Sequence, residues 1–173
     1  MIEAPEARIL CRQLNETVRG KKITDVYTQF SPHKFAWFTG SSEEYAEQLS
    51  GKTIDHAQSQ GGMVEITIGD KVLILTDGVN LRYLAPGSKL PAKHQLLIAF
   101  EDESCLVASV RMYGGLMCYD KDAADGVLSN YYLTARSKPQ VMSDGFSPEY
   151  FLGLINADSA QKKSANGLTG KRK

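Results

Sequence analysis

The chain has 173 residues and a formal net charge of zero, with 20 Lys and Arg set against 20 Asp and Glu. That length holds one domain, or one domain and a fragment, and a hydrophobic content of 42% is ordinary for a globular core. No apolar run approaches a membrane span, no signal peptide is visible, and the overall charge does not announce a nucleic-acid partner.

The charge is unevenly spread. From Asp158 to Lys173 there are five basic residues and one acid, which leaves fifteen basic and nineteen acidic residues before them. A mildly acidic body with a basic tail is expected, the tail adding at most a salt-sensitive attraction for DNA. Cys11, Cys105 and Cys118 have neither CxxC spacing nor an even framework. They read as reduced core thiols of a cytoplasmic protein. Three scattered histidines suggest no metal site, and no cofactor is implied.

The first residues carry the most information. Pro5 suits a first helical turn, because its missing N–H is one of the donors left unpaired there, and Glu6 complements the positive end of the helix dipole. Ala7, Leu10, Cys11, Leu14 and Val18 recur at helical spacing, with Gly20 as the stop. A helix that begins almost at residue one pins the α-amino group to the protein body. An α-amine has a pKa of about 7.7–8.0, against about 10.4 for lysine, so more of it is neutral and nucleophilic near pH 7. Such an amine can form a Schiff base with an aldehyde or a sugar C1′, with Glu3 or Glu6 moving protons. The plainer reading is a helix start capped by two acids.

Ile23 to Thr28 alternates as a half-buried strand, and His33 to Thr39 reads as a second strand after the Ser31-Pro32 turn. Ser41 or Ser42 caps a short helix through Leu49. Thr53 to Gln60 is the next strand, broken by Gly61-Gly62. Met63–Ile68 and Lys71–Thr76 form a hairpin across Gly69-Asp70. Asp77 to Asn80 is a turn before Leu81-Arg82-Tyr83, and residues 85–93 form a Pro/Gly/Lys loop. Gln95–Phe100 and Ser104–Val110 make another hairpin, and Tyr113–Tyr119 closes the strand region. Asn130–Ala135 is a helical turn and Ser137-Lys138-Pro139 a linker. Ser147 caps a helix that starts at Pro148 and runs through Leu154. The expected fold is mainly β (α+β): a two-layer antiparallel β-sandwich flanked by the N-terminal helix and a second short helix.

Met1-Ile2-Glu3-Ala4-Pro5-Glu6 followed by a helix resembles the opening of the formamidopyrimidine-DNA glycosylase and endonuclease VIII family, usually Met-Pro-Glu-Leu-Pro-Glu. These repair enzymes flip a damaged base from the duplex, excise it and nick the strand. The resemblance implies Ile2 at the position of the nucleophilic proline, Glu3 as the proton-moving carboxylate and Glu6 as a support for the helix start. A primary amine there can still form an imine, but retention of Met1 would displace it by one residue.

Gly78-Val79-Asn80 lies where the family has a turn whose methionine fills the gap left by the flipped base. Lys93-His94 resembles a Lys-His-x-His stretch, which suggests phosphate contact; a solvent-facing loop histidine is the alternative for His94. Arg111-Met112-Tyr113-Gly114 is similar to the Arg-Arg-Phe-Gly loop that enters the duplex, with Met112 in place of the second arginine and an aromatic retained for stacking. A family lysine is replaced at or near Gln60. The implied organisation is a sandwich domain over 1–119, a linker and the start of a truncated helical second domain over 120–157, and a basic, disordered tail over 158–173.

The implied partner is double-stranded DNA with a damaged base or an abasic site, with no membrane involved; the oligomeric state stays open. The expected function is base excision with abasic-site nicking through an N-terminal amine. A catalytically inactive damaged-DNA-binding module of the same fold is the alternative, and a sandwich that binds no nucleic acid is the third reading.

Overall fold

The computed structural model describes residues 1–123 and 130–157. The chain divides into two units between Ser137 and Lys138.

The first unit begins with α1 (Ala4–Thr17), whose start is closed by a reciprocal cap. The Glu3 side chain accepts from the Glu6 backbone, and the Glu6 carboxylate accepts from the Glu3 N–H at 3.0 Å. Two of the orphan donors of the first turn are thereby satisfied. Ala7, Cys11 and Leu14 form the buried stripe, continued by Val18 at the cap. The helix ends at Thr17, with Val18 as its C-cap, and Gly20 turns the chain beyond it with φ of +81°. The Asn15 amide donates to the Ala57 carbonyl and its oxygen accepts from the Ala57 N–H, both at 2.8 Å.

Among the described residues nine strands follow: β1 (Ile23–Thr28), β2 (Ala36–Phe38), β3 (Ile54–Gln60), β4 (Met63–Ile68), β5 (Lys71–Leu75), β6 (Val79–Leu84), β7 (Leu96–Phe100), β8 (Cys105–Val110) and β9 (Gly114–Asp120). They build one sheet of order β1-β7-β8-β6 and another of order β2-β9-β5-β4-β3. The mainly-β sandwich read from the sequence is the fold observed. Its pairing is antiparallel except for β2, which runs parallel to β9 with Trp37 opposite Gly115. Alternation misses this, because it marks which face is buried and not strand direction. The second strand is also shorter than His33–Thr39. The strand after Asp77 starts earlier than expected, at Val79, because Val79 is buried in the core.

Between the sheets lie Ile54, Ile66, Ile68, Leu73, Leu75 and Leu116 from one layer and Ile23, Leu96, Ile98 and Leu106 from the other. A 3-10 turn (Ser42–Glu44) leads into α2 (Tyr45–Leu49). The fully buried Tyr45 hydroxyl donates to the Leu116 carbonyl at 2.8 Å and accepts from the N–H groups of Cys118 and Thr39 at 3.0 and 3.1 Å. Burial pushes this phenol up to about 12. All of β4 is buried. Its second face is covered by α3 (Asn130–Arg136), where Tyr132 packs with Met63, Val72 and Ile74. Glu65 sits there at 3% exposure, accepting from the Tyr132 hydroxyl at 2.8 Å and the Gln58 amide at 2.6 Å. Those two bonds offset the desolvation of a buried carboxylate.

Cys11, Cys105 and Cys118 are free thiols. Burial pushes Cys11 up to about 12 and Cys118 up to about 11, so both behave as small apolar core groups. Cys105 is half-buried, and its thiol is raised as well.

In the second unit α4 spans 148–157, three residues past the expected end. Ser147 Oγ accepts from the Tyr150 N–H at 3.2 Å, the cap that the Ser-Pro-Glu start implies. Phe146 packs before the helix against Tyr150 and Phe151, with ring centroids 5.5 and 6.1 Å away, as a hydrophobic staple. The expected tail over 158–173 lies outside the described residues. Among the described residues, no helix is long and apolar enough to cross a membrane.

Candidate functional site

Three segments distant in sequence meet at one end of the sandwich: residues 1–6, the turn Asp77–Val79 and the loop Arg111–Tyr113. Met1, Ile2 and Glu6 of the first segment line a cleft of about 600 Å³ with the turn and the loop, and Ile9 and Leu10 of α1 form a further wall. A second cleft, of about 770 Å³, adjoins Met1 to Ala4 and is lined by Trp37, Gly62, Thr76 and Tyr131 among others.

Residue 2 is held from two sides. Its N–H donates to the Asp77 carbonyl at 2.5 Å, and its side chain is buried in the core. On the other side the chain passes Gly62 so closely that a Cβ there would sit 2.8 Å from the Ile2 carbonyl oxygen. Asp77 adopts φ of +54°, a left-handed conformation that Asp tolerates better than most residues. Its carboxylate accepts from the Thr76 hydroxyl at 2.8 Å, and that hydroxyl in turn accepts from the Gly115 N–H at 3.1 Å. Met1 projects beyond this clamp, 78% exposed.

The turn and the loop are stacked backbone on backbone. The Gly78 N–H donates to the Tyr113 carbonyl at 2.9 Å, and a Cβ on Gly78 would meet that oxygen at 2.5 Å. No side chain fits between them, so glycine at 78 is a steric requirement. The close stacking leaves Arg111, Met112 and Tyr113 on the surface, with Met112 71% exposed. Tyr113 leans against Trp37 with ring centroids 6.0 Å apart and planes at 41°. Arg111, Met112, Tyr113 and Trp37 thus form a projecting rim with one cation and two aromatic faces.

The residues singled out in the sequence fall into two groups. Ile2, Glu6, Val79, Arg111, Met112 and Tyr113 line the first cleft, and Glu3 lines its neighbour. Lys93 and His94 are elsewhere. Lys93 is exposed beside another depression that also touches Arg111. His94 is 2% exposed, stacked on Phe30 at 4.6 Å with Nδ1 3.0 Å from the Pro91 carbonyl, so it is not a solvent-facing loop histidine. Val79 is 4% exposed and belongs to the core, so as placed its side chain does not project as a wedge; the exposed apolar side chain at this site is Met112. Gln60 is buried at the end of β3.

Two contributors were missed by sequence reading. Asp77 reads as an ordinary turn residue, yet its carbonyl clamps residue 2. Trp37 reads only as part of a strand; the signal available was that it is the single tryptophan of the chain, and the structure leaves it half exposed.

This α+β sandwich, whose second residue is clamped at the mouth of a cleft beside a cationic and aromatic rim, resembles the fold of a class of DNA-repair glycosylases. The solved structures it resembles include Lactococcus lactis Fpg in complex with abasic-site DNA, at 24% identity and a TM-score of 0.60, covering 69% of this chain and 45% of that one. MutM in complex with DNA containing carbocyclic 8-oxo-G matches at 23% identity, with the same TM-score and coverage. At that identity the likeness shows the fold. The family model for the formamidopyrimidine-DNA glycosylase N-terminal domain matches residues 1–94, more than half of the sequence, and the chain belongs to this family. The formamidopyrimidine-DNA glycosylases of Streptococcus pneumoniae strains R6 and TIGR4 are each 24% identical to it over 168 residues. This chain spans 58% of the length of those relatives.

Proposed function

We propose that the protein recognises damaged or abasic duplex DNA in the first cleft, and that its N-terminal amine attacks C1′ of the extruded nucleotide to form a Schiff base. One observation carries this reading: Met1, Ile2 and Glu6, the turn Asp77–Val79 and the loop Arg111–Tyr113, which are separate in sequence, line a single cleft. A duplex lying against this end meets the projecting rim first. Met112 and Tyr113 supply the apolar and aromatic surface that fills space beside an extruded base, and Arg111 supplies the positive charge.

The amine is supplied by residue 1 or residue 2, according to whether Met1 is removed. With Met1 removed, the nitrogen of Ile2 is the amine and stays at the Asp77 carbonyl, next to Glu3 and across the helix start from Glu6. That carbonyl orients the nitrogen as a hydrogen-bond acceptor. Glu3, adjacent in sequence to the amine, protonates the opening sugar ring in this reading, and Glu6 holds Glu3 through the reciprocal cap. At a damaged nucleotide, attack forms the C1′–N bond as the glycosidic bond breaks and the base leaves with its bonding electrons and a proton. Cleavage of C1′–O4′ with protonation of O4′ then yields the imine, while at an abasic site the amine adds to the C1′ aldehyde and loss of water yields the same imine. With Met1 retained, the amine lies one residue further out on an exposed side, and the chemistry is slowed by misplacement. The expected setting is base excision repair in the cytoplasm.

The test is incubation with an abasic-site duplex under borohydride, followed by mass spectrometry of the cross-linked peptide. An adduct on the Met1 or Ile2 amine supports the lyase reading. Binding without an adduct leaves a damage-recognition module, and absence of both overturns the DNA reading.

A further inference from the structure

The outer face of the β1-β7-β8-β6 sheet carries a groove of about 460 Å³ that shares no lining residue with either cleft at the end of the sandwich. Its floor is Leu97 and Ala99 of β7 with Cys105 of β8. These alternate with the core residues Leu96, Ile98 and Leu106, and therefore face outward. Tyr27, the β1 partner of Leu97, stands on one side, and Leu90 of the loop after β6 lines the groove as well. Both side chains are exposed. From His94 to Ala99 the floor runs about 16 Å, at about 3.3 Å per residue. A trough of this volume is the size of a small-molecule site.

Both ends of the trough present hydrogen-bond acceptors. At one end is the buried ring of His94, with the exposed Phe30 ring lying flat against it. The Pro91 carbonyl can only accept, so Nδ1 carries the proton of that 3.0 Å bond, and in the neutral ring Nε2 is left as an acceptor. Among the described residues no partner reaches Nε2, and no fully buried side-chain N or O atom lacks one, so this nitrogen opens onto the groove and not into the core. At the other end Glu103 is the one charged residue of the lining. Its neighbours Glu101 and Asp102 are paired with Lys22 and Lys21, whereas the Glu103 carboxylate has no ion-pair or hydrogen-bond partner among the described residues. Apolar and aromatic surface lies between these two acceptors.

We propose that this groove binds a small, elongated organic cation, with a hydroxyl or N–H donor at one end, an aromatic body and an ammonium group at the other. The donor bonds to His94 Nε2, the body lies over Leu97 and Ala99 beside the Tyr27 and Phe30 rings, and the ammonium pairs with Glu103. A cation against exposed aromatic faces gains further attraction from their electron-rich surfaces. The site stands apart from the proposed DNA reading, because none of its residues lines the first cleft.

The experiment uses the full chain with tyramine as the probe, against para-ethylphenol, which lacks the ammonium, and phenethylamine, which lacks the hydroxyl. Binding is read from the imidazole nitrogens by NMR and from the rate at which a pyridyl disulfide modifies Cys105, the thiol in the groove floor; Cys11 and Cys118 are buried. Glu103→Gln keeps the shape and removes the charge, Leu90→Trp fills the trough, and thermal melting confirms the fold of both. Tyramine is expected to bind at about 1 mM or tighter, to shift His94 Nε2 and to slow Cys105 modification about threefold or more. Each truncated analogue should bind about fivefold more weakly, and Glu103→Gln should weaken tyramine about tenfold without affecting para-ethylphenol. Leu90→Trp should abolish both the shift and the protection. If tyramine at about 10 mM neither shifts Nε2 nor protects Cys105, the site is overturned. It is equally overturned if para-ethylphenol matches tyramine or if Glu103→Gln binds tyramine as wild type does, because the groove then takes any apolar body. Duplex binding enters none of these results, so the two readings fail separately.

Discussion

The two ends of the sandwich are held by different forces. Strands β5, β8 and β9 each have one end at the cleft and the other at the far rim, so the same elements experience both. At the far rim the turns are stitched by exposed ion pairs: Lys52 with Asp70, Lys71 with Asp120, Lys22 with Glu101 and Lys21 with Asp102. At the cleft the order comes from backbone on backbone, the Ile2 N–H on the Asp77 carbonyl and Gly78 pressed on Tyr113, and Arg111 in its lining has no ion-pair partner among the described residues. Charge is neutralised where the chain only needs to turn. It is left open where a ligand is proposed to bind, since a cation already paired with a carboxylate offers an incoming anion much less.

The comparison can be broken most forcefully at Gly78. Gly78→Val drives a side chain into the Tyr113 carbonyl, and we expect a loss of about 2–3 kcal/mol in denaturant unfolding. It should also cost more than tenfold in abasic-duplex binding, because turn and loop can no longer stack. Gly62→Ala at the other side of residue 2 should lower the yield of borohydride adduct severalfold, with a smaller fall in melting temperature. An unchanged adduct yield would show that the clamp on residue 2 is irrelevant to chemistry.

Tyr45→Phe supplies a control away from both ends. It leaves one carbonyl and two N–H groups without their shared partner, and a loss of about 2–4 kcal/mol is expected with duplex affinity unchanged. Trp37→Ala and Tyr113→Ala are the converse. Each removes a half-exposed ring, so unfolding should be nearly unaffected while binding weakens by about 1–3 kcal/mol in a calorimetric titration.

The smallest effect is expected at the far rim. Hydrogen bonds from Lys21 and Ser104 hold the Asp102 carboxyl down at about 2, from an ordinary 3.8. A depressed carboxyl stabilises the folded chain above its ordinary value, and that contribution disappears as pH falls through about 2. Asp102→Asn should therefore shift the melting temperature by about 1–3 °C at most near neutrality, converge with wild type in strong acid, and leave duplex binding intact.

Much of this organisation was legible beforehand, for identifiable reasons. The Pro5-Glu6 start and the stripe from Ala7 to Val18 announced α1, and Ser147-Pro148-Glu149 announced α4, because caps are local chemistry. The hairpins at Gly69-Asp70 and around Glu101 to Glu103 followed from alternation broken by turn residues. The convergence of the N-terminus with the loop at Arg111 was available only through the resemblance, since periodicity says nothing about which loops meet. The parallel pairing of β2 with β9 was invisible for the same reason. His94 and Val79 misled because flanking Lys93 and Gly78 look like surface, while the Phe30 ring and Gly114 that enclose them come from distant segments. Asp77 was hidden because its contribution is a backbone carbonyl, which every residue type possesses.

The paired bonds between Asn15 and Ala57 have a consequence for the behaviour of the protein in concentrated solution. β3 is the last strand of its sheet, and an outermost strand with free N–H and C=O groups can recruit a strand from another molecule. The Asn15 amide occupies one such N–H and C=O pair in the middle of that border, acting as a one-residue imitation of a neighbouring strand. Asn15→Leu would keep the helix and uncover the border, and the sign of it would be light scattering that grows with protein concentration while the monomer still melts as a folded domain.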